Sequence, residues 1–107
     1  MSAAPARMRL AAAATALPGP PVGNAELGAR LGLAPDWIDL FIGTRTRHFA
    51  VDLADGTVRY GLADLAQEAG RTALARAGLG PGGVDFLVLA TATPDARLAA
   101  TAAVVAA

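Results

Sequence analysis

Val84-Asp85-Phe86-Leu87-Val88-Leu89-Ala90-Thr91 decides the fold class of this chain. Phe86 to Leu89 is an unbroken apolar run, the pattern of a strand covered on both faces in a parallel sheet. A segment of different period precedes it. Between residues 61 and 77, Leu62, Leu65, Ala66, Ala69, Ala73 and Leu74 recur at the 3.6-residue spacing of a helix with one apolar stripe. Gly78 predicts a left-handed stop, with Leu79 folding back over the last turn. A helix delivered into a buried strand is one half of an α/β layer. The predicted fold class is therefore α/β.

Working outward, residues 8–17 read as a first buried strand ended by Pro18-Gly19-Pro20-Pro21. The same stretch imitates a secretory leader, because Arg7 and Arg9 precede the apolar run and Ala14-Thr15-Ala16 resembles a cleavage site. Its mostly alanine core is weakly hydrophobic for export, which favours the strand. Asn24 can cap a short helix that carries Leu27 and Leu31 and ends at Gly32. Pro35 suits the first turn of a second short helix, since its missing N–H costs nothing there. That helix holds Trp37, Ile38 and Phe41 and stops at Gly43. A hairpin-like arm follows, with Phe49 and Val51 on one limb, Asp55-Gly56 as a two-residue turn, and Val58 and Tyr60 on the return. From about Ala96 the chain is alanine-rich and helical to its last residue, without a stop signal.

The 107 residues are the size of one modest domain, 1–107, with no internal repeat. A hydrophobic fraction of 54% with only 17% charged residues excludes a disordered chain. Nine Arg balance nine acids, which argues against nucleic acid or an anionic membrane surface as partner. No window reaches the roughly 20 apolar residues of a membrane span. Cysteine is absent and His48 is the single histidine, so disulfides, thiolate metal sites and multi-histidine sites are excluded.

Gly78-Leu79-Gly80-Pro81-Gly82-Gly83 satisfies the G-x-G-x-x-G pattern but stands between a helix and a strand. A dinucleotide site needs the reverse order, so that phosphate meets a helix N-terminus. The segment is a connection. Arg45, Arg47 and His48 form a small basic cluster that can hold a phosphate; an exposed, solvated arm is the commoner meaning. His48 has no nucleophile to activate within this chain, and no triad assembles. A lone Trp on a short amphipathic helix, such as Trp37, is usually core, yet an exposed indole is a stacking surface for adenine.

Taken in order, these pieces resemble the N-terminal part of the ketosynthase III family of the thiolase superfamily. Asn24-Ala25-Glu26-Leu27 resembles its first helix. Asp36-Trp37-Ile38, Gly43 and Arg47-His48-Phe49-Ala50 resemble its most recognisable segment. Leu62-Ala63-Asp64-Leu65-Ala66, Ala77-Gly78-Leu79, the 84–91 run and Pro94-Asp95 complete a collinear match. The resemblance implies an incomplete, layered α/β/α thiolase-like fold. It also implies acyl transfer from coenzyme A to a cysteine, then to a malonyl unit on an acyl carrier protein. Such chemistry needs a low-pKa thiolate and an oxyanion hole. The family's Cys, His and Asn lie in segments this sequence does not contain, so no catalytic residue carries over.

Binding positions do carry over. Trp37 matches the family residue that stacks on the adenine of coenzyme A. The Arg that helps hold that nucleotide is Phe41 here, which weakens coenzyme A binding and leaves room for a specialised branch served by a carrier protein. Leu98 matches the residue that reaches across a homodimer to line the partner's acyl pocket, although Ala99 replaces the Pro that follows it in the family. No cofactor or metal is implied beyond acyl-coenzyme A as substrate, and the location implied is cytoplasmic. The expected function is thus an N-terminal fragment of a 3-oxoacyl-[acyl-carrier-protein] synthase III-like enzyme of fatty-acid or polyketide assembly, inactive alone. The alternatives are a non-catalytic binding or dimerisation module derived from the fold, and a secreted alanine-rich domain with a cleaved leader.

Overall fold

The computed structural model describes residues 4–93 and 105–106. Its elements run β1 (Val22–Gly23), α1 (Asn24–Leu31), α2 (Pro35–Ile42), β2 (Thr46–Arg47), α3 (Leu62–Ala77) and a 3-10 turn at Pro81–Gly83. α1, α2 and α3 each end on a glycine in the left-handed conformation, at Gly32, Gly43 and Gly78. After α3 the Leu79 N–H donates to the Leu74 carbonyl at 2.9 Å, the six-to-one bond of a Schellman cap. At its other end the Asp64 carboxylate accepts the Gly61 N–H at 2.9 Å, satisfying one donor that the first turn leaves free.

α1 and α2 form a tight helical pair joined by three residues, and β1 leads directly into α1. The chain reverses by crossing close over Gly28, whose carbonyl accepts the Leu33 N–H at 2.9 Å. A Cβ at position 28 would overlap the Leu33 carbonyl oxygen, so this crossing requires glycine. Ile38 is 1% exposed and, with Val22, makes the buried apolar core of the described residues. β1 pairs antiparallel with β2, Val22 opposite Arg47 and Gly23 opposite Thr46, which ties the helical pair to the following arm.

The arm closes as a hairpin through a single antiparallel bridge between Val51 and Val58. Its turn is longer than the Asp55-Gly56 signal suggests. The Asp52 N–H donates to Thr57 and the Gly56 N–H to Asp52, enclosing four residues rather than two. Two side chains explain this. The Asp52 carboxylate accepts the Ala54 N–H, and Asp55 accepts the Thr57 N–H, each at 2.8 Å, so successive Asx turns lengthen the loop. Gly56, at φ 75°, takes the left-handed position.

Three expectations are corrected. Asn24 does not cap α1: Gly23 holds the cap, Asn24 is the first helical residue, and its side-chain oxygen is buried without a hydrogen-bond partner. Residues 84–91 form no strand ladder, and neither do residues 8–17. A strand exists only where a neighbour supplies alternate N–H and C=O partners, and among the described residues none lies beside either segment. Residues 11–17 nevertheless alternate between exposed and half-buried, the period-two signature of extended backbone. The Ala13 carbonyl within them accepts Arg76 Nη1 of α3 at 2.8 Å. The alanine-rich helix expected after Ala96 lies largely outside the described residues. No helix among those described is long and apolar enough to cross a membrane.

Candidate functional site

α2 builds the site. Pro35 starts the helix with its fixed φ, and Gly43 ends it after two turns. Packing on α1 takes up Ile38, which leaves Trp37 and Phe41 on an adjoining flank. Residues four apart on a helix meet side by side, and the two rings do so: their centroids are 5.2 Å apart at 37°. Trp37 is 44% exposed and Phe41 67% exposed. The pair is a wet-faced aromatic platform, and Trp37 is not the core residue that a lone Trp commonly is. No basic residue stands on α2, which carries Asp36 and Asp39 instead. α2 itself therefore offers stacking area and no cation for a phosphate. Leu98 lies outside the described residues.

The basic cluster divides. Arg47 donates to the Val22 carbonyl at 3.3 Å and to Thr44 at 3.1 Å, while His48 Nδ1 donates to the Gly19 carbonyl at 2.9 Å. Both side chains are half-buried staples that hold the proline-rich turn against the arm. Their donors face backbone carbonyls, so the expected solvated arm holds only for Arg45, which is exposed.

Sequence reasoning missed a clamp on the arm. Arg59 pairs with Asp52 through Nη2 at 2.8 Å and Nε at 3.3 Å, across the turn. The Ala54 N–H and then the Arg59 guanidinium hold the Asp52 carboxyl below its ordinary value of 3.8. A depressed carboxylate stabilises the fold above its unfolded pKa, and that contribution is lost as pH falls through the lower, folded one. The Ala54 amide resonance is thus expected to titrate with a midpoint below 3.8. A midpoint at or above that value in an NMR titration would remove the clamp. The signal available in sequence was an Asp and an Arg on opposite limbs of a turn.

Two clefts flank these elements. One, of about 250 Å³, lies between α1 and the arm and is lined by Val22, Glu26, Arg30, Phe49, Arg59 and Tyr60 among others. Its charges cancel. The other, of about 340 Å³, lies between α3 and the 84–87 segment, with Leu74, Phe86 and Leu87 on its walls. Among the described residues no cluster of three or more His, Cys, Asp or Glu converges to hold a metal ion.

The helical pair, the arm and α3 have a close counterpart among solved structures. The condensing enzyme AbyA1, described as a tetronic acid condensing enzyme, superposes with a TM-score of 0.83 at 57% identity. The match covers 90% of this chain and 29% of that one. The fold is thus of the thiolase-like condensing class. β-Ketoacyl-[acyl-carrier-protein] synthase III of Neisseria meningitidis serogroup C is 37% identical over 89 residues, 83% of this chain and 26% of that protein. The Rhodospirillum rubrum synthase III is 43% identical over 96 residues, 90% of this chain and 28% of its own length. The chain belongs to the ketosynthase III family, corresponding to the N-terminal portion of its members, and spans about a quarter of the length of the curated relatives it matches. No protein-family model matches the chain.

Proposed function

We propose that this chain supplies the N-terminal scaffold, and one wall of the substrate entrance, of a 3-oxoacyl-[acyl-carrier-protein] synthase III-like condensing enzyme. The observation that carries the reading is the 57% identity and 0.83 TM-score to a condensing enzyme over nine-tenths of the chain. Trp37 and Phe41 form the part of the entrance where an acyl donor's carrier group passes, offering the indole face for stacking. Leu98 would line the acyl pocket of a homodimeric partner.

Donors of this class are acyl-coenzyme A and acyl carrier protein. Phe41 shifts the balance toward a carrier-protein donor, because phosphates meet no cation on α2. The same argument supports a specialised, natural-product branch over fatty-acid assembly. Identity is 57% to the tetronic acid enzyme, against 37% and 43% to the two synthases III. The sequence holds no cysteine, hence no thiolate to accept an acyl group, and the chain by itself is inactive. A cytoplasmic location belongs to this reading.

Trp37 is the single tryptophan, so its emission reports the entrance directly. Titration with an acyl-phosphopantetheine carrier protein is expected to change that emission saturably. Purified chain given acyl-coenzyme A and malonyl carrier protein is expected to release thiol at the buffer rate. Turnover by the chain alone would end the scaffold reading. An emission that no thioester ligand alters would leave the second reading, a non-catalytic module, which the missing cysteine also favours.

A further inference from the structure

The cleft of about 250 Å³ between α1 and the arm is separate from the Trp37–Phe41 platform, and neither of those rings lines it. The fold fixes it from both sides. On one, His48 Nδ1 donates to the Gly19 carbonyl at 2.9 Å, and Val22 is buried and paired in β1. On the other, the Val51–Val58 bridge closes the arm, and the Arg59 and Tyr60 N–H groups both donate to the Ala50 carbonyl, at 2.8 and 3.2 Å. Phe49 and Tyr60 line the space between without ring contact to each other.

Four charges border this cleft, Glu26 and Arg30 on α1 and Asp52 and Arg59 on the arm. The arm's two are spent on each other in the clamp. The two on α1 are not. Glu26 and Arg30 stand four apart, the spacing at which an acid and a base on a helix ordinarily pair. Among the described residues, however, the Asp52–Arg59 clamp is the ion pair formed, and neither α1 side chain joins one. The Arg30 charge reaches Asp52 across the cleft, but that carboxylate already accepts the Ala54 N–H and the Arg59 guanidinium. One wall thus presents an unpaired carboxylate and an unpaired guanidinium, about 5–6 Å apart at their Cβ atoms, beside apolar surface.

We infer that this cleft binds a free apolar α-amino acid, its carboxylate on Arg30, its ammonium on Glu26 and its side chain against Val22, Phe49 and Tyr60. Three features select that class. A ligand carrying both charges answers both residues, whereas a simple anion would meet repulsion from Glu26. In a peptide the two charged ends are separated by amides, so a single turn of α1 does not reach both. The volume falls below the roughly 300–1,000 Å³ of sites for drug-sized molecules, which suits a ligand of amino-acid size. Because α1 packs on α2, occupancy fastens the arm to the helical pair that carries the platform. The inference does not rest on the proposed function.

The test is titration of the full chain with L-leucine, followed by amide NMR. Resonances of residues 26–30 and 49–60 are expected to shift saturably, with a Kd of about 1 mM. Arg30→Gln and Glu26→Gln, both at exposed positions, are each expected to weaken binding about three- to fivefold, the size of one exposed ion pair. Altered ligands keep the assignment testable without altering the fold. Leucinamide lacks the carboxylate and should bind the Arg30→Gln variant and the unaltered chain alike. N-acetyl-leucine lacks the ammonium and should be indifferent to Glu26→Gln. If N-acetyl-leucine binds the unaltered chain as tightly as leucine, the site is an anion subsite and the amino-acid assignment is overturned. Shifts that are absent at about 20 mM leucine, or confined to residues away from the cleft, would overturn the site itself.

Discussion

Replacing Ile38 by alanine is expected to lower stability by about 2–5 kcal/mol, the usual cost of emptying a buried aliphatic site. The described core consists of Ile38 and Val22, so few fully buried apolar neighbours are available to collapse into the space. α2 has eight residues, too few to persist without tertiary packing. Losing Ile38 therefore releases α2 from α1 and, with it, the platform. Urea unfolding should show a lower midpoint, and Trp37 emission should move toward that of free indole in water. Leu40→Ala, at an exposed position of the same helix, is the control and should stay within about 0.5 kcal/mol. Equal effects from the two substitutions would show that α2 is not anchored through Ile38.

Phe41→Arg is expected to tighten coenzyme A binding about tenfold. Two contributions oppose each other. A guanidinium one helical turn from Trp37 can form a charge-assisted hydrogen bond to a nucleotide phosphate, about 1.5–3 kcal/mol. The substitution also removes the Trp37–Phe41 ring contact at 5.2 Å, about 0.5–1.5 kcal/mol. The difference, near 1.4 kcal/mol, is a factor of about ten. Three readouts separate this from a general change in folding. The gain should shrink with added salt, because it is ionic. Pantetheine, which carries neither nucleotide nor phosphate, should bind both forms equally. Phe41→Leu should not reproduce the gain. Titration calorimetry showing no preference of the Arg variant for coenzyme A would place the nucleotide away from α2.

Local chemistry was legible along the chain wherever one residue type has one structural use. Gly32, Gly43 and Gly78 marked helix ends, Pro35 marked a helix start, and the stripe from Leu62 to Leu74 marked α3, all as found. The collinear match to ketosynthase III was equally legible, because it depends on residue order and not on contacts. Competing partners explain the misses. Asn24 lost the cap to Gly23, since the antiparallel pairing of Val22 and Gly23 with Thr46 and Arg47 sets where the helix begins. Asp52 and Asp55 each captured a nearby N–H, and a two-residue turn became four.

The amino-acid sequence by itself determined the helices, their ends, the family, and the lack of a thiol nucleophile. Tertiary structure alone decided that Trp37 and Phe41 share one open platform, that Arg47 and His48 are spent on backbone carbonyls, and that the 84–91 run has no ladder partner among the described residues. The physical reason is range. A cap, a turn or a helical stripe is settled by residues within about one turn of each other. A strand ladder and an exposed ring depend on which distant segment arrives beside them, and apolar periodicity records only that something must.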